Sequence, residues 1–256
     1  MNKILKWVRN IIIFFFVSTI GMVVAFKYIP VYYTPLMFIR CGEQLSRGES
    51  PHLLHKWVPL EEISHNMPQA VMASEDNLFL QHDGFDIDQI LIARREAQQG
   101  KRERGASTIS QQTAKNVFLW PAHSWVRKGL EVYFTVLIEW VWGKERIMEV
   151  YLNSIEMGDG IYGVAATSKV KFGTDPAALT PKQAALIAVT LPSPLTRDSA
   201  HPSPWMNKRS NKIIDLMGKV ARFPYPESKE DNSNSNSKQT ADSKKQHKKK
   251  SKKKKQ

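Results

Sequence analysis

The chain has 256 residues, 42% of them hydrophobic and 24% charged, with a formal charge of +13 and a single cysteine. That length buries one sizeable core once the terminal segments are set aside, and a lone Cys41 excludes both an intrachain disulfide and a cysteine-rich metal site. Eleven lysines against Glu230, Asp231 and Asp242 put +8 of the +13 between residues 228 and 256, so the body is only mildly basic and carries no nucleic-acid signature.

Residues 1–10 carry Lys3, Lys6 and Arg9 and read as a cytoplasmic N-terminus. Residues 11–26, IIIFFFVSTIGMVVAF, contain no charge, and the predicted transmembrane signal-anchor covers 11–28, with Trp7 and Tyr28 as interfacial aromatics. A buried core helix would not sit at the extreme N-terminus behind three cations. A cleaved signal peptide would need a small-x-small site, and Val24 to Tyr28 offers none. The positive-inside rule then exports everything after Lys27. Residues 29–59 form a membrane-proximal segment in which Tyr32, Tyr33, Leu36, Met37, Phe38 and Ile39 fit equally a core strip and an amphipathic element at the interface.

Beyond residue 60 the apolar residues recur at intervals of three and four, which predicts helices over 67–74, 88–99, 107–118, 126–142, 144–153, 181–191 and 206–221. Ser107, Gly143 and Thr180 with Pro181 are the expected boundary signals, and no hairpin or alternating strand pattern appears, so the fold class is mainly α. The glycines of GDGIYGVAATSKVKFG follow a helical stretch rather than a strand, which argues against a nucleotide-binding loop and for tight turns. The catalytic body is expected to end near residue 227. Residues 228–256 lose their apolar content and read as a disordered lysine-rich tail.

Three polar clusters could carry chemistry. Glu75 stands where an apolar run, residues 70–73, meets a polar loop, and a carboxylate at such a boundary can have the raised pKa of a general base. Glu131 lies beside the apolar face of a long helix within one turn of Arg127 and Lys128; it reads either as an ordinary surface ion pair or as a second carboxylate facing a cleft. Ser107, Gln111 and Lys115 fall on one face of a continuous helix, which is a solvated face or, with Gln112, a diphosphate site.

In their order and separation, EDNLFLQHDGFD, RGASTISQQTAKN, RKGLE, KERIMEVYLN and GDGIYGVAA resemble the motif set of the family 51 peptidoglycan glycosyltransferases, in the monofunctional form with one anchor and no penicillin-binding module. The resemblance covers about residues 60–217. It implies a lysozyme-like fold with a small membrane-proximal jaw lobe. It also implies polymerisation of lipid II into β-1,4-linked glycan with inversion and release of undecaprenyl diphosphate. By carry-over Glu75 is the base, Glu131 the second carboxylate, and Lys115, Arg127 and Lys128 the cations at the phosphates. Gln111, Gln112, Ser107 and Thr108 shape the cleft, while Asp76, Phe79, His82 and Gly84 fix the Glu75 loop; Asn153 and Glu149 look structural. The implied location is the cell inner membrane, single-pass, with a periplasmic catalytic domain. The implied partners are lipid II, the nascent glycan, inner-membrane lipid, other cell-wall synthases and division proteins, with no nucleic acid. No cofactor is obligatory, and the ion, where one is used, is Mg or Mn held near Glu131.

The chain departs from the family pattern at His123 (often Arg), at Ala165 (often Glu), at Lys171 (often Tyr) and in LPSP for LPNP. A lytic muramidase of the same shape has little use for a cationic diphosphate wall, and a non-catalytic partner would be expected to lose Glu75 or Glu131.

Overall fold

A computed structural model describes residues 3–100, 105–122 and 124–225. The chain divides into two compact units after Phe223, and nearly all of the second, including the lysine-rich tail, lies outside the described residues, as does His123. The body is mainly α, as expected.

Helix α1 (Lys3–Tyr28) begins well before residue 11, because Lys3, Lys6 and Arg9 are good helix formers and nothing between them and the apolar run breaks a helix. Its 26 residues span about 39 Å, more than the ~30 Å of a bilayer core. Its C-terminal half docks on the body. Thr19 Oγ1 and Tyr133 Oη are 2.8 Å apart, Trp142 Nε1 donates to the Val23 carbonyl at 2.7 Å, and Arg146 donates to the carbonyls of Phe26 and Ile29. Helix α2 (Pro35–Ser46) bears out the core-strip reading at Leu36 and Met37, which pack on Tyr162, while Phe38 and, ahead of the helix, Tyr32 and Tyr33 are exposed.

The body is built from α3 (Asn66–Glu75), α4 (Ile87–Gln98), α5 (Ile109–Phe118), α6 (Trp125–Val141), α7 (Lys144–Ser154), α8 (Gly163–Phe172), α9 (Pro181–Thr190) and α10 (Pro204–Met217). Helix α3 packs on α9, α9 on α10, and α5 on both α6 and α7. Ala70 and Ala73 of α3 and Ala184, Ala185 and Ala188 of α9 are buried, and such small side chains let helix axes come close. Asn153 of α7 is fully buried and satisfied: its amide donates to the carbonyls of Val58 and Glu149 and accepts from Val58 N–H, each at 2.9 Å. Glu149 pairs with Arg146.

Two elements differ from the sequence expectation. A three-stranded sheet of β1 (Leu54–His55), β2 (Glu156–Gly158) and β3 (Ile161–Tyr162), in the order β1-β3-β2, is invisible to period-two reading because its strands hold two or three residues each. Helix α8 went unpredicted because Gly163 to Ser168 are all buried, which leaves no amphipathic period to detect. The turn reading of the glycines stands at Gly163, where φ is +75° and a Cβ would lie 2.4 Å from the Asn153 carbonyl oxygen.

Helices α6 and α4 present large apolar residues to the outside. Trp125, Val132, Val136 and Trp140 of α6 recur at helical spacing, the two tryptophans 92% and 83% exposed, next to the Tyr133 contact with α1. Helix α4 has no buried residue and exposes Ile87, Leu91 and Ile92. Apolar residues exposed along one helix face suit a contact with lipid or protein.

Candidate active site

Glu75 closes α3 and stands half-buried at the junction with the polar loop. Its Oε1 accepts from Ser74 Oγ at 3.0 Å and its Oε2 from Gln112 Nε2 at 3.2 Å. Burial pushes the carboxyl above its ordinary range, and the hydrogen bonds from Gln112 and Ser74 and the charges of Arg209 and Arg197 oppose the shift. Gln112 is itself oriented: Tyr151 Oη donates to its Oε1 at 3.1 Å, which turns the amide nitrogen toward Glu75. The Tyr151 hydroxyl is pushed well above its usual pKa by burial and by the charges of Glu75 and Asp76, so it remains a donor.

The loop after Glu75 is tied to the start of α5. Asp76 accepts from Ile109 N–H at 3.0 Å and from His82 Nε2 at 2.9 Å, and His82 Nδ1 accepts from Gly84 N–H at 3.2 Å. The Gly84 carbonyl accepts from Thr108 Oγ1 at 2.6 Å. Phe79 is fully buried beneath this loop, with the Lys144 ammonium 4.6 Å above its ring. Asp76, Phe79, His82 and Gly84 are therefore gathered at one place, around the segment that follows Glu75.

Helix α5 starts at Ile109, later than predicted, because Thr108 and Gln111 form a reciprocal capping box. That corrects the single-face reading. Ser107 precedes the helix, Gln111 is 3% exposed and engaged by Thr108, and only Lys115 of the three lies on a wall with Gln112. Ser107 instead lies near Glu75, and Thr108 borders the small recess behind it.

Two cavities meet at Gln112 and Pro192. One, of about 420 Å³, is walled by Lys115, Arg127, Arg40, Asn116, Glu156 and Leu36; the other, of about 400 Å³, by Glu75, Ser107, Arg197, Trp205 and Arg209. Burial lowers the pKa of Lys115, Glu131 opposes this, Arg127 and Lys128 add to it, and Glu75 opposes it. Glu131 is 3% exposed, with Arg127 Nη1 at 3.3 Å from one oxygen and Lys128 Nζ against the other. It lines neither cavity, nor does Lys128. Glu131 is thus buried against Arg127, a wall residue of the Lys115 cavity, and against Lys128. Both of its oxygens face cations, and among the described residues no three His, Cys, Asp or Glu side chains gather into a cluster that could hold a metal ion.

Sequence reasoning missed Tyr151, Arg40, Arg197, Trp205 and Arg209. Tyr151 reads as one more core residue of the EVYLN stretch, and the others lie outside the polar clusters, so only folding brings them to the cavities. Of the departures, Ala165 is buried in α8. Lys171 pairs with Asp198 at 2.9 Å; burial raises that carboxyl, yet hydrogen bonds from His201, Lys171 and Ala200 N–H hold it at about 2.

A family model described as Transglycosylase matches residues 42–218. A biosynthetic peptidoglycan transglycosylase of Bacteroides thetaiotaomicron is 58% identical over 229 residues, 90% of this chain and 92% of the relative. Proteins of the same description from Bdellovibrio bacteriovorus and Caulobacter vibrioides are 49% and 48% identical, over 82% and 85% of this chain and 84% and 94% of their own lengths. Glu75, Gln112, Lys115 and Arg127 all lie within the matched region, and the chain belongs to the transglycosylase family as a peptidoglycan glycosyltransferase.

Proposed function

We propose that the enzyme polymerises lipid II, with Glu75 as the general base and the Lys115 cavity as the seat of the departing diphosphate. The observation that carries this reading is Gln112, which donates to Glu75 and also walls the cavity of Lys115 and Arg127, so that base and leaving-group site adjoin. In the step inferred, the acceptor 4-hydroxyl oxygen attacks the donor anomeric carbon as its proton passes to Glu75. The bond from that carbon to the diphosphate oxygen breaks, the electron pair leaves on the diphosphate, and attack from the opposite side inverts the centre. Lys115 and Arg127 neutralise the charge that develops, which is where fixed cations in a partly desolvated site contribute most. Glu131 keeps Arg127 and Lys128 in place.

In this reading α1 crosses the inner membrane with Lys3, Lys6 and Arg9 on the cytoplasmic side, and the body works on the periplasmic face. The α6 stripe and α4 rest in the lipid interface. Other cell-wall synthases and division proteins are the natural neighbours of such an enzyme.

The test is incubation of the detergent-solubilised protein with labelled lipid II and separation of the products by size. Polymer is expected from the wild type, with Glu75→Gln slower by about 10² to 10⁴ while folding normally. Wild-type turnover by Glu75→Gln would remove Glu75 from the mechanism, and cleavage of preformed glycan without polymer would replace the reading with a muramidase.

A further inference from the structure

The Glu75 cavity continues outward onto α10. Trp205 and Arg209 wall it, and the same two residues with Lys208 and Lys212 line a further open recess of about 390 Å³. Positions 205, 208, 209 and 212 stand at i, i+3, i+4 and i+7, so they share one face of the helix, while buried Met206, Ser210 and Ile213 occupy the other.

This face is unusual in its charge. Lys208 and Lys212 stand at i, i+4, an arrangement that repels, and among the described residues neither lysine nor Arg209 forms an ion pair with a carboxylate. Arg197 adds a fourth cation, stacked 4.9 Å from the centre of the Trp205 ring, which is itself 55% exposed. Helix α10 packs against α3 and α9, whereas α2, next after the membrane helix, walls the Lys115 cavity. The two ends of the cleft thus differ: one lies by the anchor, and the other opens over an unpaired cationic and aromatic strip.

We infer that the α10 strip is a subsite for the acidic peptide carried by the glycan, with Lys208, Arg209 and Lys212 receiving peptide carboxylates and Trp205 offering its face to the adjoining sugar or peptide. The inference rests on the polymerase reading above, since a donor whose departing diphosphate sits at Lys115 and whose anomeric carbon faces the hydroxyl held at Glu75 has only its sugars and peptide left to extend over α10. Three donors along about 6 Å of helix suit successive carboxylates better than a single phosphate.

The experiment compares wild type with the double reversal K208E/K212E on two lipid-linked disaccharides, one bearing the full acidic peptide and one bearing none. Both lysines are exposed, and an unchanged melting temperature verifies the fold. The expected result is a KM raised about tenfold for the peptide-bearing substrate, a weakened salt dependence, and an unchanged KM for the peptide-free one. Trp205→Ala should likewise weaken binding of the soluble disaccharide-peptide to the full-length protein. Equal losses on both substrates, or none on either, overturn the inference. A variant that loses only affinity for anionic vesicles also overturns it, by making the strip a headgroup contact. If the wild type polymerises neither substrate, the polymerase reading itself has failed, an outcome distinct from all of these.

Discussion

Glu75 and Lys115 are both held against their own solvation, which is the residue-scale signature of a site built for chemistry. A carboxyl raised above its ordinary 4.5 keeps its proton in the folded state where the unfolded chain has lost it, so its contribution to stability is present below 4.5 and disappears as pH rises through the raised value. An amine lowered from 10.5 contributes above that value and loses the contribution as pH falls through the lowered one. Between the two shifted values both groups are charged and both oppose folding. Glu75→Gln and Lys115→Met should therefore melt higher than the wild type at such a pH while losing turnover, measurable by calorimetry beside the polymer assay. The pH profile of turnover should be a bell narrowed from both sides, its acid limb above 4.5 and its alkaline limb below 10.5. Limbs at the ordinary values would mean that other groups control the rate. Tyr151→Phe should lower kcat about fivefold and leave KM nearly unchanged, because it removes about 1 kcal/mol of orientation from Gln112 without touching the cavity walls. The positions of Glu75 and Lys115 were legible in the sequence from their polar surroundings; the Tyr151–Gln112–Glu75 chain was not, since its members are 39 and 37 residues apart.

At the scale of elements, the junction of α3, its loop and α5 decides where Glu75 points. Gly84 has φ +91°, and a Cβ there would stand 2.8 Å from Thr135 Cγ2 of α6, so the loop passes α6 at a distance that only glycine allows. Gly84→Ala should destabilise the protein by roughly 2–3 kcal/mol and slow turnover beyond that loss, checked by denaturant unfolding and by assay well below the melting temperature. Helix positions were readable because amphipathic period and boundary residues agree over α5, α6, α7, α9 and α10. The start of α5 was misplaced by the choice between two adjacent hydroxyl residues, Ser107 and Thr108, although Gln111 three residues after Thr108 was the available sign of the capping box. Helix α8 and the short sheet escaped because burial on all sides, or a length of two residues, erases periodicity.

At the scale of the molecule, α1 and the catalytic body meet through Tyr133, Trp142 and Arg146, all on or beside the helices that carry Glu131 and Tyr151. The adjoining α6 stripe should then lie in lipid. In bilayer discs, bromine-labelled acyl chains should quench Trp140 fluorescence, so that Trp140→Phe removes a measurable share of the total quenching; an unchanged quenching fraction would place the stripe in water or against protein.

Composition and order alone determined that the chain has one membrane-length apolar segment, a mainly helical body and a glycosyltransferase motif set, because each of these is a local property of consecutive residues. Tertiary structure decided the rest. It buried Glu131 against Arg127 and Lys128, withdrew Gln111 into a cap, and brought Arg197, Trp205 and Arg209 from the C-terminal third to the edge of Glu75. The physical reason is that a helix face is fixed by spacing, but which face meets a cavity depends on what packs against the other one, and that partner lies far away in sequence.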